Sequence, residues 1–186
     1  TRATQNTVDN NVISGNRHIG MILYEGCNSN MIYRNKIGIR ADESGALANH
    51  GAGVVLSKSC RGNSIGGSGL GNVIAYNDTV GVVIMDTGSY YNKISQNRIF
   101  ANNLMDIDLY PYGVNANDAG DADQGANGLM NYPLISSVFL DWFSGNTTIT
   151  GGLDHASPVG VTLELFKAGG VNMFGHGGGE TYLGSV

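Results

Sequence analysis

The sequence predicts an all-β chain: a right-handed, single-stranded parallel β-helix followed by a small, incomplete antiparallel segment of the β-sandwich type. Three observations carry that prediction. Asn recurs at fixed spacing, as at Asn92, Asn97 and Asn102, with Ile94 and Ile99 each two residues behind an Asn. A short apolar run recurs, as Gly20-Met21-Ile22-Leu23, Gly53-Val54-Val55-Leu56 and Gly81-Val82-Val83-Ile84, with Asp106-Ile107-Asp108-Leu109 in the same place of the last repeat. The 186 residues include 29 Gly and 21 Asn but three Pro, and 13 % are charged against about 25 % in ordinary globular chains. That mixture favours many turns between short strands and opposes long helices.

The repeats align column by column. Asn16, Asn49, Asn77 and Asn102 each precede the apolar run by four residues. Asn30, Asn63 and Asn92 follow it, and Asn35, Asn72 and Asn97 form the next column; Asn6 and Asn11 belong to an incomplete first turn. Each repeat thus offers three short strands, none able to bury its apolar face alone. Stacking repeats strand on strand buries all of them, with rungs about 4.8 Å apart. Asn suits the corners because it tolerates left-handed backbone, and stacked Asn side chains can bond amide to amide along the axis.

Two insertions, Gly38 to His50 and Gly66 to Gly71, read as loops leaving the coil at corners. Strand alternation points Met21, Val54, Val82 and Ile107 inward with Leu23, Leu56, Ile84 and Leu109. Ile22, Val55, Val83 and Asp108 then point outward; the apolar stripe of Ile22, Val55 and Val83, with Tyr24, Met85 and Tyr110 beside it, is a candidate contact surface unless, as expected, the C-terminal segment of the chain covers it. Cys27 and Cys60 each follow the repeat Gly by seven residues. They should stack in adjacent rungs with Cα atoms within disulfide range; two buried free thiols are expected, with a bridge as the alternative, since in-register neighbours on parallel strands are seldom well oriented for one.

The repeat covers residues 1–112, about four coils, and stops at an acidic Asn/Asp/Gly loop over 113–132. There Asn117, Asp118, Asp121 and Asp123 bring hard oxygen donors together, the ligand chemistry Ca²⁺ wants, with Asp108 as an added donor from the last rung. A solvated acidic turn is the alternative. Residues 133–186 read as antiparallel strands at Leu134–Leu140, Thr147–Thr150, Val161–Phe166 and Thr181–Val186. Few strands are present for a sandwich, and the chain opens inside a repeat, so a larger protein is expected. The unfinished edges invite self-association.

The net charge of −5 argues against nucleic acid or anionic lipid as the main partner. No apolar run reaches the length of a membrane span, and no signal peptide is visible. No cluster of three charged groups falls on one sheet face, so no catalytic residue is assigned. His18 and His50 read as solvated corner residues, and His176-Gly177-Gly178-Gly179 lacks the nucleophile that would make it an oxyanion loop.

The units Asn72-Val73-Ile74-Ala75-Tyr76-Asn77 and Gly81-Val82-Val83-Ile84 resemble those of right-handed parallel β-helix repeat proteins of the pectate-lyase-like superfamily, the large secreted or surface bacterial type with a following β-sandwich. The resemblance spans the chain and implies an extracellular or cell-surface location. Two functions follow as expectations. One is a non-catalytic scaffold or adhesin-type module, recognising polysaccharide or cell-surface glycan through Tyr24, Tyr90, Tyr91 and Tyr110. The other is a polysaccharide-active lyase, hydrolase or epimerase.

Overall fold

The computed structural model describes residues 2–155 and 160–186. The coil is built from twelve short strands. The first rung holds β1 (Thr7–Asp9), β2 (Val12–Ile13) and β3 (Met21–Tyr24); the second holds β4 (Met31–Tyr33), β5 (Lys36–Ile37) and β6 (Val54–Ser57). The third holds β7 (Ser64–Gly66), β8 (Val73–Ala75) and β9 (Val82–Ile84), and the fourth β10 (Lys93–Ser95), β11 (Arg98–Phe100) and β12 (Ile107–Leu109). Three parallel sheets stack in the orders β1-β4-β7-β10, β2-β5-β8-β11 and β3-β6-β9-β12. Met21 lies over Val54, and Val54 over Val82, in the register the Gly columns require.

Three asparagine ladders run along the coil. In each, one Oδ1 accepts both the backbone N–H and the Nδ2 of the Asn in the preceding rung. Asn30 donates to Asn63 at 3.0 and 2.9 Å, and Asn35 to Asn72 at 2.9 and 3.0 Å. Asn77 donates to Asn102 at 3.0 and 2.8 Å. Each ladder Asn also feeds a carbonyl, as Asn72 Nδ2 does to Ile32 at 2.8 Å. The amides are therefore satisfied although Asn35, Asn63, Asn72 and Asn77 are buried.

Inside, Leu23, Ile32, Ile37, Val54, Leu56, Ile65, Ile74, Val82, Ile84 and Ile99 make one continuous core. Ile107 departs from expectation: it is 43 % exposed, because no further rung follows to cover it. The outer stripe also departs. Ile22 is exposed on the first rung, but Val55 and Val83 are buried in a second cluster with Ala52, Val80, Met85, Leu104 and Met105. The coil's own flanking residues pack over the stripe, with Asn172 of the C-terminal segment touching Met105 at its last rung. The insertion after β5 folds back on itself through Ile39 and Ala46.

Beyond the coil, β13 (Leu134–Leu140) pairs antiparallel with β14 (Thr147–Gly152), and β15 (Glu164–Lys167) with β16 (Thr181–Ser185). The third strand begins at Glu164, three residues later than its alternating pattern suggests. Two separate hairpins result. The first is exposed along both strands, with Phe139, Trp142 and Phe143 in solvent. The second docks on the last rung: Glu164 accepts from Ser95 Oγ at 2.6 Å and from the Gln96 amide at 2.9 Å. The Gly177–Gly179 run lies beside it, where the Ile99 amide donates to Gly179 O at 2.9 Å. An added Cβ at Gly178 would meet Asp106 and Ile99, which explains the glycine run as close docking of backbone on the coil end.

Candidate metal centre

A solenoid that simply stopped would leave its last amides unpaired, so the end of each ladder is where the chain must supply something new. Two ladders end on identifiable side chains. Asp106 takes the place that Gly holds in earlier rungs, and its Oδ1 accepts from Asn102 Nδ2 at 2.8 Å. Asn127, in the short 3₁₀ segment Ala126–Leu129, has φ 50° and acts as the next Asn of its column. Its Oδ1 accepts the Asn92 amide at 2.8 Å and its Nδ2 donates to Asn92 O at 3.0 Å. The acidic loop is thus part of the coil's cap. Sequence reasoning missed Asn127 because it stands 35 residues beyond Asn92, outside any repeat.

The same loop gathers its acids. Carboxylate oxygens of Asp118, Asp121 and Asp123 all lie within 4.8 Å of one another. Asn131 builds the frame. Its Oδ1 accepts the Asp118 amide at 3.0 Å, its Nδ2 donates to Asp118 O and Asp154 O, and its own amide donates to Asp121 Oδ1 at 2.7 Å. The Ala122 amide donates to the Asp118 carboxylate. His155 Nδ1 lies 2.8 Å from Asp121 Oδ2. Asp123 Oδ1 is shielded from solvent and has no hydrogen-bond partner among the described residues. Burial, and then the negative charges of Asp118 and Asp121, hold the Asp123 carboxyl above its ordinary pKa. A cation among the three would relieve both effects.

The other two residues proposed for this group stand apart. Asn117 is turned to Tyr132, accepting its amide at 3.0 Å and donating to its carbonyl at 2.8 Å. Asp108 occupies the Val55–Val83 column, is 3 % exposed, and among the described residues accepts only the Gly113 amide, at 3.1 Å. Burial raises its pKa, partly offset by that amide. Its ionisation therefore works against the fold, and the stability it contributes is present in acid and declines as pH rises through the raised pKa. Neither His155 nor Asn131 carries a sequence signal, because each reaches the loop only through the fold.

The four tyrosines do not form one platform. Lys58 Nζ sits 4.9 Å from the Tyr24 ring centre, and the Arg61 guanidinium 4.2 Å from that of Tyr90. Each cation lies over one face of its ring. Tyr91 is 82 % exposed and meets Tyr90 edge-on, while Tyr110 pairs with Tyr112 three rungs along from Tyr24. Among the described residues no helix is long and apolar enough to cross a membrane.

Comparison with known proteins gives one family. Residues 1–117 match the family described as "Periplasmic copper-binding protein (NosD)". No curated protein and no solved structure matches. The aspartate group does not suit Cu(I), since its donors are hard carboxylate oxygens, whereas copper in its reduced state selects sulfur. Soft donors occur elsewhere in the coil: the free thiols Cys27, half-buried, and Cys60, buried.

Proposed function

The chain belongs to the NosD family, and from that premise we propose that it is a non-catalytic β-helix scaffold working outside the cytoplasm, with its coil end locked by Ca²⁺. The family's description places its members in the periplasm, in keeping with a location beyond the cytoplasmic membrane. The observation that carries the reading is how the coil uses its acids. Asp9 pairs with Arg34, Glu43 with Arg98 and Lys36, Asp78 with His50, and Glu25 with Lys58. Asp86 accepts from Lys58, Ser59, Gly88 and Ser89, while Asp42, Asp106 and Asp108 accept from Ser44, Asn102 and Gly113. Each carboxylate of the coil thus has at least one partner within the fold, the Glu25–Lys58 and Asp78–His50 pairs lying at the surface. Cleavage of a polysaccharide needs acids free to meet substrate. The exposed hairpin β13–β14 supports a role in assembly, since contiguous apolar surface of that kind marks contact sites.

The acidic loop links metal binding to the coil, because Asn127 and the three aspartates share it. A Ca²⁺ that binds only the folded loop stabilises the protein by about 2.7 kcal/mol at a hundredfold excess over its Kd. Calorimetry of the chelator-treated chain is expected to show the melting temperature rising with added Ca²⁺ but not with Na⁺ at equal ionic strength. Asp123→Asn, at a carboxylate oxygen that accepts no hydrogen bond among the described residues, should abolish the rise while leaving the chelated protein as stable as before. A melting temperature indifferent to millimolar Ca²⁺ would end the proposal.

A further inference from the structure

We propose that Cys27 and Cys60 form a two-coordinate site for Cu(I), held between two neighbouring rungs of the coil. The pair is in register. Tyr24 lies over Ser57, Gly26 donates to Lys58 O at 2.8 Å, Ser29 donates to Arg61 O at 3.1 Å, and Asn30 stacks on Asn63. Cys27 and Cys60 share the offset common to all of these. Their thiols also point alike. Cys27 Sγ donates to Tyr24 O at 3.0 Å and Cys60 Sγ to Ser57 O at 3.1 Å, each to the carbonyl three residues back in its own rung. Two side chains in the same pose on adjacent rungs place their sulfurs about 4.8 Å apart, the separation of neighbouring strands.

That distance decides the chemistry. It is more than twice the roughly 2.05 Å of a disulfide, so bridging would require both side chains to leave their poses. Two metal–sulfur bonds of about 2.3 Å laid end to end span about 4.6 Å, which matches the rung spacing with little adjustment. A linear two-sulfur site suits Cu(I), whereas Zn²⁺ requires four ligands. Among the described residues no His, Asp or Glu joins the thiols in a group of metal-ligand size.

The surroundings fit the same ion. Cys60 lies in the apolar core, and Cys27 packs against it from a half-buried position. Burial raises the Cys60 pKa, with neighbouring backbone groups acting in the opposite sense. Binding breaks two S–H bonds, forms two Cu–S bonds and releases two protons to solvent, with no change of oxidation state. Cys27, at the half-buried position, gives the ion its way in.

This proposal is independent of the Ca²⁺ lock and fails separately from it. The reduced full chain is titrated anaerobically with Cu(I) supplied as its acetonitrile complex, against a chromophoric Cu(I) chelator. The expected result is one Cu(I) retained per chain, with a sulfur-to-copper charge-transfer band in the near ultraviolet. Both thiols of the loaded protein should resist a thiol reagent that modifies the unloaded, denatured chain. Cys27→Ala and Cys60→Ala should each abolish retention, and Asp123→Asn should retain the full equivalent. If removal of the buried Cys60 side chain prevents folding, as circular dichroism would show, the Cys27→Ala variant carries the test. Wild-type protein that surrenders all its copper to the chelator, or a Cys27→Ala variant that holds as much as wild type, would overturn the site.

Discussion

Asn72→Ala is expected to lower the unfolding free energy by about 4 kcal/mol, among the largest single-residue losses a domain of this size shows. Asn72 is 1 % exposed and makes four bonds through its side chain. Its Oδ1 accepts the Asn35 amide and Asn35 Nδ2, and its Nδ2 donates to Ile32 O and Asn97 Oδ1. Truncation takes the side-chain partner from the Asn35 amide and from Ile32 O, at about 1–3 kcal/mol each before relaxation, and removes the second bond of Asn35 Nδ2 and Asn97 Oδ1, which keep Val8 O and the residue-72 amide. Asn72→Asp sharpens the test because it keeps the shape. The carboxylate would face Ile32 O and Asn97 Oδ1, acceptor against acceptor, in a buried site. Its pKa in the folded state would be raised, so the variant should regain part of its stability in acid and lose it as pH rises through that pKa. Chemical denaturation across a pH series reads both effects. An Asn72→Asp protein as stable as wild type at neutral pH would show that the ladder is not carrying the coil.

Gly53→Ala should cost about 3 kcal/mol, from overpacking rather than lost bonding. A Cβ at Gly53 would lie 2.6 Å from Gly81 O, 2.8 Å from Asn77 Nδ2 and 2.9 Å from Ile74 Cγ2. The first two atoms belong to the next rung's backbone and to a ladder amide, and neither can yield without parting the rungs. Gly45→Ala is the control, because nothing lies within 4 Å of its Cβ position, and it should change stability by less than about 0.5 kcal/mol. Equal thermal stability of the two variants would contradict the stacking argument. The last rung illustrates the rule. Asp106 can stand in the glycine column because no fifth rung presses on it, and its carboxylate then closes the ladder.

These two positions also mark where the sequence is most legible. The Asn and Gly columns are periodic because each rung meets the same neighbour, so spacing alone reveals their partners. Faces are less legible. Alternation places Val54 inside and Val55 outside, but it is silent on Ala52, Val80 and Met105, whose packing makes the outside of that sheet a second buried layer. Ile107 fails for the opposite reason, since alternation cannot know that a stack has ended. The acidic loop could be read as a cluster of oxygen donors from its composition. That Asn117 would turn to Tyr132, that Asp108 would be buried elsewhere, and that Asn131 and His155 would frame the group all depend on contacts between distant residues, and no local pattern records them. The thiol pair sits between these cases: its register follows from the repeat, but the common pose of the sulfurs requires coordinates.

The cap gives the C-terminal part its physical meaning. Asp106, Asn127 and Glu164 each accept from the last rung where a further rung would otherwise bind. Anything that orders the acidic loop therefore acts on the coil through Asn127, which is how a cation bound among Asp118, Asp121 and Asp123 would reach the ladder.

Side-chain amide hydrogen exchange, followed by NMR for each Asn, tests the stacked ladder most directly. Asn35, Asn63, Asn72 and Asn77 should exchange their Nδ2 protons far more slowly than the exposed Asn10 and Asn146. Exchange of the four at the rate of the exposed pair would mean that the rungs are not joined through these amides.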